Sequence, residues 1–134
     1  ENSNNDNNNE ETTTIKIQIT AIALSNDGCV LGTGDNKGLV KVWNYQTGMC
    51  LYTILLLASS SSSSISCIKF NPNATAVLIA ADTSCREYEL LQSSSAAKLL
   101  NEFGQHNDTL ITHCSYYLRN ININNSNTNK NSNT

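Results

Sequence analysis

The chain has 134 residues, with 8 basic and 11 acidic side chains and a formal net charge of −3. This length predicts about one domain. The charge balance excludes the strongly basic surface that phosphate backbones require, and no apolar run approaches the roughly 20 residues of a membrane-spanning helix. We therefore expect neither nucleic-acid binding nor membrane insertion.

Both ends of the chain are poor in large apolar side chains. Asn crowds residues 1–13, and Asn, Ser and Thr fill most of residues 119–134. Such segments bury too little apolar surface to offset the entropy of ordering, so we expect two disordered tails around an ordered unit at residues 14–118. The chain opens with neither Met nor an apolar leader, which predicts a piece of a longer protein without a secretory signal.

A short segment recurs along the chain at residues 19–25, 65–71 and 111–117, with a spacing of 46 residues. After each of the first two copies come turns rich in Gly, Asn and Asp and further apolar runs. Val40 and Val42 alternate with a lysine, which is the period of a half-buried strand. We predict an all-β fold of two four-stranded antiparallel units and the first strand of a third. The further predicted strands are 29–33, 39–43, 49–57, 76–80 and 85–90.

Residues 95–104 allow two interpretations. Apolar side chains at Ala96, Leu99, Leu100 and Phe103 have the spacing of a helix, with a serine before them and a glycine after them. As a fourth strand, the segment would instead alternate between two faces. One face carries Ala97, Leu99, Asn101 and Phe103, and the other carries Lys98, Leu100 and Glu102. Because the first unit ends in a strand, the repeat favours the strand.

The five cysteines predict reduced thiols rather than cross-links. Their number is odd and no two are spaced as Cys-x-x-Cys, whereas disulfide frameworks use even sets and zinc sites use closely paired ligands. Several occupy alternating apolar positions of predicted strands, where a free thiol packs as a small hydrophobe. We expect buried, reduced thiols and a cytoplasmic location. The cysteines are Cys29, Cys50, Cys67, Cys85 and Cys114.

Residues 19–54 resemble one WD repeat, which is the blade unit of a β-propeller. The family's Ser-Pro-Asp-Gly turn appears as residues 25–28, its Leu-Ala-Ser-Gly-Ser strand as residues 31–35, and its Gly-Thr-Val-Arg-Leu-Trp-Asp strand as residues 38–44. The resemblance implies a structural role in the motif for nine residues. They are Asp27, Gly28, Thr33, Gly38, Trp43, Asn44, Thr47, Gly48 and Tyr88.

The later copies match the family less well. Tyr88 and Glu89 stand where the Trp-Asp pair belongs, and Glu87 replaces an apolar residue. Residues 104–106 (Gly-Gln-His) are similar to the Gly-His that opens many repeats. We predict blade one at 19–57, a Ser-rich loop at 58–64, blade two at 65–103 and a partial blade at 104–118.

Trp43 has both a chemical and a family interpretation. An indole has a large apolar body and one N–H that needs an acceptor, so Trp43 is expected to pack against the next blade and to donate to the Thr33 hydroxyl. In the family, this network continues to an aspartate in the turn and to the Gly-His imidazole. Here Lys37 stands at the aspartate position, which predicts an incomplete network.

The sequence offers no constellation for catalysis, cofactors or metals. His106 and His113 are too few for most metal sites, and the His113 and Cys114 side chains are expected on opposite faces of a strand. Glu87 and Glu89 share one face of a single strand, whereas acid–base pairs flank a substrate. No serine lies in a nucleophile elbow. We therefore expect no enzyme, no cofactor and no metal.

Two and a fraction blades would leave apolar faces uncovered, since propellers use about four to eight. The resemblance therefore implies part of a larger propeller, completed by further blades of the same chain or another subunit. Its expected role is a scaffold or adaptor that binds other proteins or peptides. Two alternatives stay open: a regulatory propeller in a protein with a catalytic domain elsewhere, and a decayed, truncated remnant.

Overall fold

A computed structural model describes residues 16–56, 63–104 and 109–117. These residues form two antiparallel sheets of four strands each, joined in chain order, which confirms the predicted all-β fold. The first sheet contains β1 (Ile19–Leu24), β2 (Val30–Asp35), β3 (Leu39–Asn44) and β4 (Cys50–Leu55), and the second contains β5 (Ile65–Phe70), β6 (Ala76–Ala81), β7 (Ser84–Leu90) and β8 (Ala97–Phe103).

Several predicted segments lie outside the described residues. These are both tails, most of the Ser-rich loop and the Gln105–His106 part of the third copy. Residues 97–103 form a strand, so the strand interpretation of this region is correct and the helical one is wrong. In this case the hydrogen bonds that β7 offers along its edge outweigh a helical spacing of apolar side chains.

The two sheets pack face to face around one core. Its fully buried side chains include Val40 and Val42 from β3, and Ile65 and Ile68 from β5. Gly34 allows the close approach: a Cβ added there would lie 2.5 Å from Ile65 Cγ2. The face of β2 that carries glycine therefore packs against the face of β5 that carries Ile65.

A hydroxyl group at the same place in each repeat links a sheet to the next copy of the recurring segment. Thr20 Oγ1 in β1 donates to the carbonyl of Ile65, 2.6 Å away. Ser66 Oγ in β5, 46 residues later, donates to the carbonyl of Ile111. The third copy therefore lies on the second sheet as β5 lies on the first.

The third copy is nevertheless not a strand. Residues 111–117 have no strand assignment, which corrects the expected first strand of a third unit. Their backbone is anchored by Ile111, whose N–H donates to the Asp82 carbonyl at 2.6 Å. A strand needs a hydrogen-bonded neighbour, and the described residues provide none beside this segment.

Candidate protein-interaction site

The turn between β1 and β2 is held by the predicted motif residues and by one further side chain. The buried Ser25 hydroxyl accepts from the Val30 N–H at 2.9 Å and donates to Asp27 Oδ1. The hydrogen bond from the Ser25 hydroxyl, followed by one from the Cys29 N–H, lowers the pKa of Asp27. Gly28 has a φ of 71°, where glycine is favoured.

The turn between β2 and β3 depends on an aspartate that is not one of the nine predicted motif residues. Asp35 is buried, and its Oδ1 accepts from the N–H groups of Lys37 at 2.8 Å and Leu39 at 3.0 Å. Gly38 has a φ of 82°, and a Cβ there would lie 2.8 Å from the Leu56 carbonyl oxygen. An aspartate that opens a turn ending in glycine was the available signal.

The turn between β3 and β4 is organised by Asn44. Its Oδ1 accepts from the N–H groups of Gln46 at 3.0 Å and Thr47 at 2.9 Å. Its carbonyl accepts from the N–H of Gly48 at 2.9 Å, and Gly48 has a φ of 71°. The Thr47 hydroxyl accepts from the Met49 N–H at 3.3 Å. Three motif residues therefore form one rigid turn.

This third turn also presents two exposed side chains of types that are common at protein interfaces. Tyr45 is 59% exposed and Met49 is 64% exposed. Tyrosine is enriched among residues that dominate protein interfaces, and methionine adapts to irregular surfaces. This pair was not among the predicted site residues, although an aromatic residue and a methionine that flank a Thr-Gly turn were visible in the sequence.

Trp43 makes the predicted hydrogen bond but lies on the other face of the sheet. Its Nε1 donates to Thr33 Oγ1 at 2.9 Å, and the Lys41 Nζ lies 5.5 Å from the ring centre. However, Trp43 and Thr33 lie on the face that does not contact the second sheet. The prediction that Trp43 packs between the two sheets is therefore wrong. The glycines of β2 and the valines of β3 take that place instead.

Tyr88, and not Trp43, is the motif residue that lies between the two sheets. It is opposite Val77 in the second sheet, as Trp43 is opposite Leu31 in the first. Tyr88 packs against the core between the sheets, and burial raises its pKa. The second sheet therefore turns its motif residue toward the first, and the first turns its own outward.

The outward side of the first sheet is an apolar surface that we call the open face. A hollow of about 310 Å³ lies on it beside Trp43 and Thr33. Its large apolar side chains are only partly buried or exposed, with Ile22 69% exposed. These side chains are Ile19, Ile22, Leu24, Leu31, Leu39, Trp43 and Leu55.

The outer side of the second sheet holds a cluster of thiols under the third copy. Cys67 and Cys85 are buried and Cys114 is half-buried. Burial, followed by a hydrogen bond with Cys67, raises the pKa of Cys114, and burial also raises that of Cys85. All five cysteines are free, but Cys29 and Cys50 are exposed, so the expected burial is wrong for these two, which adjoin turns.

The polar groups of this outer side form a small network. Glu87 accepts from the Tyr116 hydroxyl at 2.9 Å and from Asn101 Nδ2 at 2.7 Å. His113 Nδ1 lies 3.8 Å from Cys67 Sγ, and Cys114 Sγ also points toward the second sheet. The expected opposite orientation of the two side chains assumed a strand, which this segment is not. Within residues 16–56, 63–104 and 109–117, no three His, Cys, Asp or Glu side chains are arranged to hold a metal ion.

The part of the chain that the structure describes contains no helix with the length and apolarity needed to cross a bilayer.

Part of the chain is similar in sequence to known proteins. Residues 10–44 match the family model "WD domain, G-beta repeat". Ribosome biogenesis protein ERB1 of Debaryomyces hansenii is 31% identical over 65 residues, which are 48% of this chain and 8% of that protein. Autophagy-related protein 18 of Komagataella pastoris is 53% identical over 38 residues, which are 28% of this chain and 7% of that protein. The chain thus spans less than a tenth of either relative.

A solved structure shares the fold. The β-propeller domain of Myceliophteria thermophila Cps50 (Swd1) superposes with a TM-score of 0.55 at 20% identity, over 69% of this chain and 31% of that one. Together with the strand order of both sheets, this likeness shows a β-propeller arrangement. Residues 10–44 therefore match a WD repeat in sequence, and the described residues have the fold of two β-propeller blades.

Proposed function

We propose that this chain is part of a larger β-propeller that acts as a non-catalytic scaffold or adaptor for other proteins or peptides. In this proposal blade one spans residues 19–57, blade two spans residues 65–103, and a partial blade spans residues 104–118. The nine WD-motif residues have a structural role in these blades. The observation that carries the larger propeller is the difference in exposure between equivalent side chains of the two sheets.

Equivalent isoleucines are covered in the second sheet and uncovered in the first. Ile65 and Ile68 are 0% and 2% exposed because the first sheet packs on them, whereas Ile19 and Ile22 are 63% and 69% exposed. Burial of such a side chain contributes roughly 1.5–3 kcal/mol, and exposed apolar patches mark interaction surfaces. The open face therefore fits a further blade, of the same chain or of another subunit.

Radical footprinting in the native protein tests this blade. We expect Ile22 to be labelled in the isolated chain and protected in the protein as it occurs in its cell. Leu99 in β8 serves as the control, because it is also exposed, at 46%, and lies on neither the open face nor the third turn. Equal labelling of Ile22 in both samples would contradict the larger propeller.

The scaffold role depends on the third turn. Loops on a rigid framework are the usual contact points of binding domains, and Asn44 fixes the backbone beneath Tyr45 and Met49. Affinity purification of the full-length protein, followed by mass spectrometry, should recover companions that are lost with Tyr45→Ala or Met49→Ser. Gln46→Ala, an exposed polar change on the same turn, should keep them. Companions that all three variants retain would place the contact elsewhere.

In this role the chain itself carries out no chemistry and takes no nucleic acid or membrane as its partner. Free thiols are typical of proteins in a reducing compartment, so a cytoplasmic location goes with the proposal. The names of the two relatives, one in ribosome biogenesis and one in autophagy, supply two processes in which companions can first be sought. Fractionation of the native protein tests the location, and recovery in an oxidising compartment would contradict it.

A further inference from the structure

β4 forms one edge of the first sheet, and its backbone hydrogen bonds to β3 show which groups it leaves free. Leu56 N–H donates to the Gly38 carbonyl at 2.9 Å, and the same register pairs Ile54 with Val40. In an antiparallel ladder, hydrogen-bonded pairs alternate with pairs that exchange no bonds. Ile54 therefore points its N–H and C=O toward β3.

The residues on either side of Ile54 point their backbone groups the other way. The N–H and C=O of Thr53 and Leu55 face away from β3, and among the described residues no strand lies beside them, since β4 is the last strand of its sheet. A row of free N–H and C=O groups is a template for pairing with another strand.

The composition of β4 is unusual for an exposed edge. Its six residues, Cys-Leu-Tyr-Thr-Ile-Leu, contain no charge, no Pro and no Gly, whereas edges are commonly blunted with lysine or other charged side chains. The corresponding edge β8 obeys that rule, with Lys98 and Glu102. The remaining edge strands are β1 and β5, so β8 is the counterpart of β4 at the end of the second sheet. Of these two, β4 lacks charged side chains, although its pairing with β3 contains a bulge.

We propose that β4 pairs antiparallel with β4 of a second copy of this chain. Ile54 would lie opposite its counterpart on the two-fold axis, and Thr53 of each copy would exchange hydrogen bonds with Leu55 of the other. A second copy fits better than a charged peptide because an uncharged strand pairs with itself without opposing like charges. The pairing is isologous and closes as a dimer. It does not depend on the scaffold role.

Proline at position 53 tests the pairing directly. Thr53→Pro removes an N–H that faces away from β3, and Pro is tolerated on an edge strand in that orientation. Sedimentation of the full 134-residue chain over a concentration series should show a dimer whose dissociation constant rises at least tenfold in this variant. Thr53→Val is the matched control, because it keeps the N–H and should leave the dimer unchanged. If Thr53→Pro does not fold, Leu55→Pro removes the other outward N–H.

Association through the open face must be separated from association through the edge. Ile22→Glu places a charge on the open face and leaves β4 untouched, so the proposal requires the dimer to persist in this variant. A wild-type chain that stays monomeric would overturn the proposal. The proposal would also be overturned if Thr53→Pro left the dimer intact or if Ile22→Glu abolished it. Oligomers larger than a dimer that persist in Thr53→Pro would overturn it as well.

Discussion

Gly34→Ala is the substitution most damaging to the contact between the two sheets. The new Cβ would lie 2.5 Å from Ile65 Cγ2 and 2.7 Å from Ile65 Cβ, which is roughly 1 Å closer than an optimal carbon–carbon contact. Because the Cβ of Ile65 is fixed to the β5 backbone, no change of rotamer relieves this clash. The sheets themselves have to separate.

The expected loss in the free energy of unfolding follows from this clash. Gly32, which lies nearby on the same strand, offers a matched comparison. Overpacking a core costs about 1–3 kcal/mol, and we expect the upper end for Gly34→Ala. At Gly32 the nearest atoms are 3.1–3.3 Å away, on the ends of Ile68 and Phe70, which can shift. Loss of a glycine also reduces the entropy of the unfolded chain, which stabilises by about 0.4–1 kcal/mol, so Gly32→Ala should be close to neutral.

Urea unfolding followed by Trp43 fluorescence measures both variants, because Trp43 is the single tryptophan of the chain. We expect the free energy of unfolding to fall by about 3 kcal/mol in Gly34→Ala and by less than about 1 kcal/mol in Gly32→Ala. Equal effects of the two substitutions, or a larger effect of Gly32→Ala, would refute the close packing of β2 on β5.

Three further predictions concern a turn, a hydrogen bond and a pH dependence. Gly28→Ala should destabilise by about 1 kcal/mol, whereas Ala74→Gly, at the equivalent turn with a φ of 55°, should stabilise; chemical denaturation gives both signs. Thr33→Val, which leaves the Trp43 N–H without its acceptor, should cost about 1 kcal/mol in the same assay, and no loss would show that water replaces the hydroxyl. Burial, followed by the hydrogen bond to a glutamate, raises the pKa of Tyr116. Its neutral form therefore stabilises the fold below about pH 10, and this contribution is lost as the pH rises further. Tyr116→Phe should therefore flatten part of the decline in unfolding free energy above about pH 10.

Much of the fold could be predicted because strands and turns have local signatures. Alternation at Val40 and Val42 and the turn at residues 25–28 place two strands and their connection without reference to any distant residue. The Trp43–Thr33 hydrogen bond was also predictable, since both residues lie on adjacent strands in register. The candidate site was less visible: Tyr45 and Met49 matter through their exposure, which no local pattern reports.

The strands, their order and the turns between them are encoded locally, because alternation and turn chemistry act within a few residues. Which face of each strand is covered depends instead on the packing of one sheet on another. A strand presents two faces, and Trp43 and Tyr88 hold the same place in their repeats. Tyr88 lies between the sheets and Trp43 lies outside, because among the described residues another sheet covers only the face that carries Tyr88. For the same reason residues 111–117 repeat the position of β5 without becoming a strand: a strand is defined by a neighbour, and its own residues cannot supply one.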